Sequence, residues 1–498
     1  MRIIYLNINL TNILNDIMKV QFLMPPALNK KEVPERLFGC AYSLYPQVNI
    51  FILYAAAVLE KAGYDVEYAD YPIEGENDVN LDSDVYIFYT TFLAEKIDKY
   101  WANKIRKKQP NAIIIFSGPE PTSRPKDFIL DKKTFVVRGE IELTFLDLIK
   151  ALENKKQSFK KILGISWKEG NKIIHNKPRS QMTTEELDRL PFPARHLIKN
   201  PERYYNPKLS RKPSTVMITS RQCFGNCIYC IPNSYSFARE IEHKKWFKKK
   251  FSNLGLRSAD SIIEEFKEIK NLGYKSVSII DDNFINNPER MKKILKGIKG
   301  IDIEWGCLSR ADVLREDIVK LMKESGCVYT DIGIESLDQK VLDYVHKGLK
   351  VEDNIRAIKL LQKYHIIPKV NILIGASPLE TEESIKKTVE TLIKLDIEYV
   401  TFAIVLPHPE TAVYKIAKDK NWFVTKNKDY TPVSPIDQSI ISFPDGLSSK
   451  DYERLLKWCY RRFYLRPRLI MKKIRGLKNY KTMRDSIVTA YNLLVGRI

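Results

Sequence analysis

Short strand-like runs recur along the chain and alternate with longer stretches in which apolar residues return every third or fourth position. Between residues 19 and 155 the short runs are VQFLMPP, DVEYAD, DVYIFYTTF, AIIIFSGPEPT and TFVVRGE. The stretches PQVNIFILYAAAVLEKAGY, AEKIDKYWANKIRKKQ and IELTFLDLIKALE carry the helical period, and Gly63 stops the first of them. Apolar strands that alternate with helices predict a doubly wound parallel sheet over 19–155. Ligands of such sheets lie beyond the carboxyl ends of the strands, which here run into the loops Tyr89-Thr90-Thr91, Gly118-Pro119-Glu120 and Gly139-Glu140.

Residues 156–213 read as a connector. ILGISWKEGNKIIHNKP has the pattern of a β-hairpin turning at Glu169-Gly170, and the prolines of RLPFPARHLI oppose regular structure. A second βα series fills 214–415, with strands STVMITS, SVSIIDDNF, IDIEWGCLSRAD, YTDIGIES, KVNILIGAS and YVTFAIVLP. Ser258 caps the helix SADSIIEEFKEIKNLGY. The six units predict a partial (β/α)6 barrel with its chemistry where the strands end. Residues 416–498 read as a helical, basic C-terminal region. Residues 1–18 fit poorly with the strand that follows and read as an extension, with Met18 as the expected natural start.

Composition narrows the class. A chain of 498 residues exceeds a single core, and 44% hydrophobic with 29% charged residues is ordinary for a globular protein. No apolar run of 18 residues is present, and no leader pattern opens the sequence, so a cytoplasmic protein is expected. The net charge of +21 is spread along the chain, which favours a solvated surface over nucleic-acid binding. Seven cysteines without a secretion signal argue against a disulfide framework.

Three of those cysteines stand together in Cys223-Phe-Gly-Asn-Cys227-Ile-Tyr-Cys230, directly after the first strand of the second series. Thiolates are the ligands of iron–sulfur cubes, normally four for each. Three at once, with no fourth nearby, would leave one iron open to a small molecule. Gly225 lets the loop close tightly. The spacing also permits zinc with His243 as fourth ligand. Cys307, Cys327 and Cys459 read as packed thiols, and His196 and His408 as satisfied rather than catalytic histidines.

C-x3-C-x2-C after the first strand of a partial barrel resembles the radical S-adenosylmethionine (radical SAM) pattern. The order of a Rossmann-like domain, connector, barrel and helical tail is similar to that of the cobalamin-binding radical SAM enzymes over nearly the whole chain. The resemblance implies that Cys223, Cys227 and Cys230 hold a [4Fe–4S] cluster whose open iron takes the amine and carboxylate of S-adenosyl-L-methionine, with Tyr229 near the adenine. Where the wider family often has Gly-Gly-Glu, this chain has Asp281-Asp282-Asn283; the acidic pair would receive the methionyl ammonium. Ser309 and Arg310 end the third strand, where Arg310 would clamp the carboxylate. Glu335 and Ser336 end the fourth, where ribose hydroxyls are expected. The loops Tyr89–Thr91, Gly118–Glu120 and Gly139–Glu140 would cradle cobalamin. All six histidines lie at 175 or later, so the cobalamin would be base-off with no histidine of the N-terminal domain on its cobalt.

The function implied is a cobalamin-dependent radical SAM methyltransferase acting on an unactivated carbon through a 5′-deoxyadenosyl radical. Its rivals are a radical SAM cyclase or rearrangement enzyme without methyl transfer and, from another class, a zinc-bearing RNA-binding protein. Methylthio transfer is disfavoured, because the N-terminal domain has only Cys40 where a second cluster would need three cysteines. Expected partners are a small-molecule or lipid substrate and an external electron donor of flavodoxin or ferredoxin type. The tail interleaves Arg461, Arg462, Arg466, Arg468, Lys472, Lys473 and Arg475 with Phe463, Tyr464, Leu465, Leu469 and Ile470. Two readings stand for it: peripheral contact with an anionic membrane, and a helix covering the barrel.

Overall fold

A computed structural model of the chain describes residues 18–28, 36–37, 45–75, 79–154, 158–248, 255–424 and 440–475. The proposed extension before Met18, Cys40 and the tail beyond Arg475 lie outside the described residues.

Two sheets organise the protein. The first has strands β1 (Lys19–Met24), β2 (Asp65–Asp70), β3 (Val85–Tyr89), β4 (Ile113–Ser117), β5 (Thr134–Val137), β6 (Ile165–Glu169) and β7 (Lys172–His175). Their order is β2-β1-β3-β4-β5-β6-β7. The first five run parallel and the last two are antiparallel. Val20, Phe22 and Met24 pack with the helix Ile50–Lys61 on one face, while Leu23 packs with Trp101 on the other. Burial on both faces is why these strands read as apolar runs. The hairpin taken as part of the connector is the edge of this sheet: β6 pairs with β5.

The second sheet is opened by β8 (Ser214–Met217). A short pair, β9 (Ser220–Arg221) and β10 (Gly255–Leu256), follows it. Then come β11 (Ser276–Ile279), β12 (Glu304–Ser309), β13 (Cys327–Glu335), β14 (Ile367–Ile374) and β15 (Tyr399–Ile404). The order is β15-β14-β13-β12-β11-β8, parallel throughout, which is the expected six-stranded partial barrel. Amphipathic helices such as Ala259–Asn271 and Glu382–Lys394 cover its outside.

The helix Ser234–Phe247, which the sequence reading missed, lies where the two sheets meet. Asn233 caps it by accepting from the Ser236 N–H. Tyr235, on this helix, shares one apolar cluster with Val216, Ile218 and Ile280 of the barrel and Phe51 of the first domain. The helix Ser449–Tyr464 lays Tyr452, Leu455, Leu456, Cys459 and Phe463 against the barrel core. No described helix is long and apolar enough to cross a membrane.

Candidate functional site

The cysteine loop begins where β9 ends. Gln222 has φ +87°, a left-handed conformation that a non-glycine residue holds only when its surroundings impose it. They do so here: the Gln222 N–H donates to Ser236 Oγ, and Arg221 is locked into buried ion pairs. Beyond this turn the Gly225 N–H donates to Cys223 Sγ at 3.3 Å. A Cβ added to Gly225 would lie 3.4 Å from Cys223 Sγ, 3.8 Å from Cys227 Sγ and 3.3 Å from Arg310 Nη1. The two sulfurs and the guanidinium therefore converge on one point beside Gly225. None of the three cysteines is in a disulfide. Burial pushes the Cys223 thiol up, and for the exposed Cys230 the neighbouring Cys227 and Cys223 thiols act in the same direction. A bound cation reverses that balance and deprotonates a coordinating thiol outright. His243 instead sets its ring against Phe247, and among the described residues no three His, Cys, Asp or Glu side chains converge on one metal ion. A cube differs in taking one cysteine per iron.

Charged groups from successive strand ends stand around the thiols. Asp282, after β11, accepts from the Asn233 N–H through Oδ1, while its buried Oδ2 has no hydrogen-bond partner among the described residues. Burial pushes its carboxyl up to about 7. Arg310, after β12, donates to Asp312 and to the Lys347 carbonyl and lies over the Phe224 ring. Its Nη1 has no hydrogen bond among the described residues. Glu335 closes β13 at φ +66°, beside a bulge, and accepts from Lys347 Nζ at 2.9 Å. Tyr229 sits beside Cys227, Cys230 and Glu335. Lys347 escaped the sequence reading. It is buried in the loop that receives the Ile228 N–H on the Val345 carbonyl, so it lies directly against the cysteine loop.

Three of the expected site residues are engaged in holding the frame. Asp281 is fully buried and accepts from the Thr219 N–H, Thr219 Oγ1 and Ser220 Oγ at 2.5–2.7 Å, fastening the β8–β9 link. Ser336 Oγ receives the Asp338 N–H. Ser309 lies within 3.5 Å of Asn283 Oδ1, which also receives the Arg310 N–H and so ties β11 to β12.

The loops of the first domain are buried where the two units meet. The Tyr89 ring lies tilted against Phe51, and its hydroxyl accepts from Ser234 Oγ. Thr90 donates to Asp98, and buried Thr91 accepts the Ala94 N–H on its carbonyl. A Cβ at Gly118 would lie 2.7 Å from the Thr90 carbonyl oxygen, so only glycine fits that approach. Pro119 opens the short helix Pro119–Ser123. Glu120 is bridged to His408 Nε2 at 2.8 Å and to Arg124; burial raises its carboxyl, but its hydrogen-bond partners His408 and Arg124 outweigh that and hold it low. A Cβ at Gly139 would meet the Glu242 side chain at 3.2 Å. Glu140 accepts from Arg221, Tyr235 and Arg239. Several buried polar atoms here lack a hydrogen-bond partner among the described residues, Thr122 Oγ1 and Arg36 Nε among them. Asn49, before the helix Ile50–Lys61, is 3% exposed, and both its Oδ1 and its Nδ2 are in that state.

The sequence profile of the Radical SAM superfamily matches residues 217–392, which span the cysteine loop and the strand ends around it. An uncharacterized methyltransferase of Pyrococcus horikoshii is 33% identical over 384 residues, covering 76% of this chain and 78% of that protein. The chain belongs to the radical SAM superfamily. This radical SAM chain also shares its fold with two solved structures. The enzyme OxsB, with aqua-cobalamin and S-adenosylmethionine bound, is 15% identical with a TM-score of 0.66, covering 94% of this chain and 70% of that one. The methyltransferase TsrM from Kitasatospora setae, with cobalamin and a [4Fe-4S] cluster bound, is 15% identical with a TM-score of 0.60, covering 88% and 81%. Both domains are therefore included in the likeness.

Proposed function

We propose that the protein is a cobalamin-dependent radical SAM methyltransferase whose cluster is held by Cys223, Cys227 and Cys230. The observation that carries this reading is the convergence of two of three unlinked thiols and of Arg310 Nη1 on one point beside Gly225. When bound, the cluster and cobalamin supply an electron that opens the sulfonium of S-adenosylmethionine and a methyl group for a substrate carbon. The chain's own residues would bind and orient. Asp282 Oδ2 is positioned as acceptor for the methionyl ammonium, a charge-assisted bond in a buried place. Arg310 Nη1 supplies a donor for the carboxylate. Glu335 and Tyr229 flank the same space on the side expected to take the ribose and adenine. Asp281 supports this set indirectly by fixing the strand link behind the loop.

Cobalamin finds support in the likeness of the fold and in the buried, unpartnered amide of Asn49 at the carboxyl edge of the parallel sheet. The expected cradle is revised in one respect. Glu120 and Glu140 already have protein partners, so they serve the joint between the domains. The substrate remains a small molecule or lipid, and the electron comes from an external flavodoxin- or ferredoxin-type carrier. Between the two readings of the tail, barrel cover is favoured. Arg454, Arg462, Arg468 and Lys472 pair with Glu382, Glu390, Asp396 and Glu398 of the barrel.

The test is anaerobic reconstitution with iron, sulfide and hydroxocobalamin, followed by dithionite and S-adenosylmethionine. The proposal expects a cobalamin spectrum that stays with the protein and release of 5′-deoxyadenosine. An iron-loaded protein that never retains cobalamin would leave the radical step without methyl transfer and would refute this assignment.

A further inference from the structure

Asn49 closes the connection between β1 and the helix Ile50–Lys61, at the carboxyl end of the strand where the sheet order β2-β1-β3 reverses. Ligands of doubly wound sheets sit at such reversals. Asparagine before a helix ordinarily turns its side-chain oxygen onto a first-turn N–H. Asn49 does not: it makes no side-chain cap bond. Its backbone N–H is fixed instead by Tyr68 Oη at 3.2 Å. Both side-chain polar atoms are shielded from solvent and have no hydrogen-bond partner among the described residues. A buried amide left in that state is costly and calls for a partner that the described residues do not provide.

The chemistry of that partner is constrained. The vacant pair is one donor group and one acceptor, so a ligand edge with both functions matches it. An anion offers acceptors only. The surroundings also discourage an anion, because the Asp70 carboxylate acts on the same Tyr68 hydroxyl that holds Asn49. Arg36 acts there too and offsets Asp70.

We infer that Asn49 pairs edge to edge with a primary carboxamide on the rim of the corrin ring, making it a cobalamin-binding residue of the first domain. This rests on the cobalamin reading proposed above. Corrin rims carry several such amides, each with one carbonyl acceptor and one NH2 donor. The contact asks nothing of the cobalt and needs no histidine.

The experiment uses the full chain with its cluster reconstituted and measures equilibrium binding of hydroxocobalamin and of dicyanocobinamide. The latter keeps the rim amides and lacks the nucleotide. Asn49→Leu, similar in shape and apolar, should leave the thermal midpoint of the cobalamin-free protein unchanged or raised, since it removes an unsatisfied amide. The same variant should bind both corrinoids roughly tenfold or more weakly, the loss of about one good hydrogen-bonded pair. Asn49→Asp, which keeps the shape and loses the donor, should also weaken both and guards against a packing defect in the leucine variant. Equal corrinoid affinity in wild type and both variants would overturn the inference while leaving the cobalamin proposal standing. A loss with hydroxocobalamin but not with dicyanocobinamide would place the contact on the nucleotide and overturn it as well. A wild-type protein that binds neither corrinoid would instead sink the underlying proposal.

Discussion

Glu140 should be among the costliest single carboxylates to remove. Its Oε2 receives Arg221 Nη1 at 2.5 Å and the Tyr235 hydroxyl at 2.8 Å, and its Oε1 receives Arg239 Nε at 2.6 Å. Glu142 takes the second Arg221 nitrogen at 2.6 Å. Two buried arginines thus face two buried carboxylates, and Glu140→Ala leaves both arginines with one. Breaking a buried pair from one side costs about 3–5 kcal/mol. Burial alone would raise the Glu140 carboxyl, but Arg239 and Arg221 outweigh it and hold it below the usual range. A depressed folded-state value means that the stabilisation is complete above the ordinary carboxylate range and disappears as pH falls through the folded value. Urea unfolding of the apo protein at pH 7.5 and at successively lower pH, read by tryptophan fluorescence, measures this. The expected result is a loss of about 3–5 kcal/mol near neutrality that shrinks in acid. Arg221 stands two residues before Cys223, so iron uptake should fall as well. A loss below about 1 kcal/mol at pH 7.5, the size of an exposed pair, would refute the reasoning.

Other substitutions probe the frame from different sides. A Cβ at Gly306 would overlap the Tyr329 ring, whose hydroxyl is tied to Ser278 and Asn206; Gly306→Ala should therefore lose about 1–3 kcal/mol in the same urea assay, and a neutral effect would show that the ring can move. Asp281→Asn places an NH2 donor among three donors, so a loss of about 1–3 kcal/mol is expected together with reduced iron content after reconstitution. Burial pushes the Glu380 carboxyl up to about 8, above its unfolded value, so wild-type stability should fall as pH rises from about 4.5 to 8. Glu380→Gln, which keeps an oxygen for the Gly375 N–H, should flatten that slope and exceed wild type in stability at pH 8.5; an unchanged slope would contradict the assignment.

Much of the fold was legible because the strands are buried on both faces and so announce themselves as apolar runs. The parts that escaped have physical reasons. The hairpin β6–β7 has a clear local pattern, but its pairing with β5 is long-range, and nothing near Gly170 records it. The helix Ser234–Phe247 is buried among its polar residues as well, at Ser234, Ser236, Arg239 and Glu242, so no single apolar face stands out. Asn233 was the available signal, a capping residue at its start. At the site, the cysteines and the strand ends Asp282, Arg310 and Glu335 were readable because barrels gather chemistry there. Lys347 was not, since a lysine is expected at the surface and its partner lies twelve residues earlier. Adjacent Asp281 and Asp282 look alike in sequence. Only the fold separates them, turning one onto Thr219 and Ser220 and leaving an oxygen of the other vacant.

The central claim is a cluster on Cys223, Cys227 and Cys230 with an iron open to S-adenosylmethionine. Electron paramagnetic resonance of the reconstituted, dithionite-reduced protein tests it most directly, with and without S-adenosylmethionine. The expected result is about four irons per chain, a reduced [4Fe–4S] signal that shifts when S-adenosylmethionine is added, and loss of that signal in Cys223→Ala. A fully iron-loaded protein whose signal ignores S-adenosylmethionine, or a native protein that carries zinc in place of iron, would contradict it.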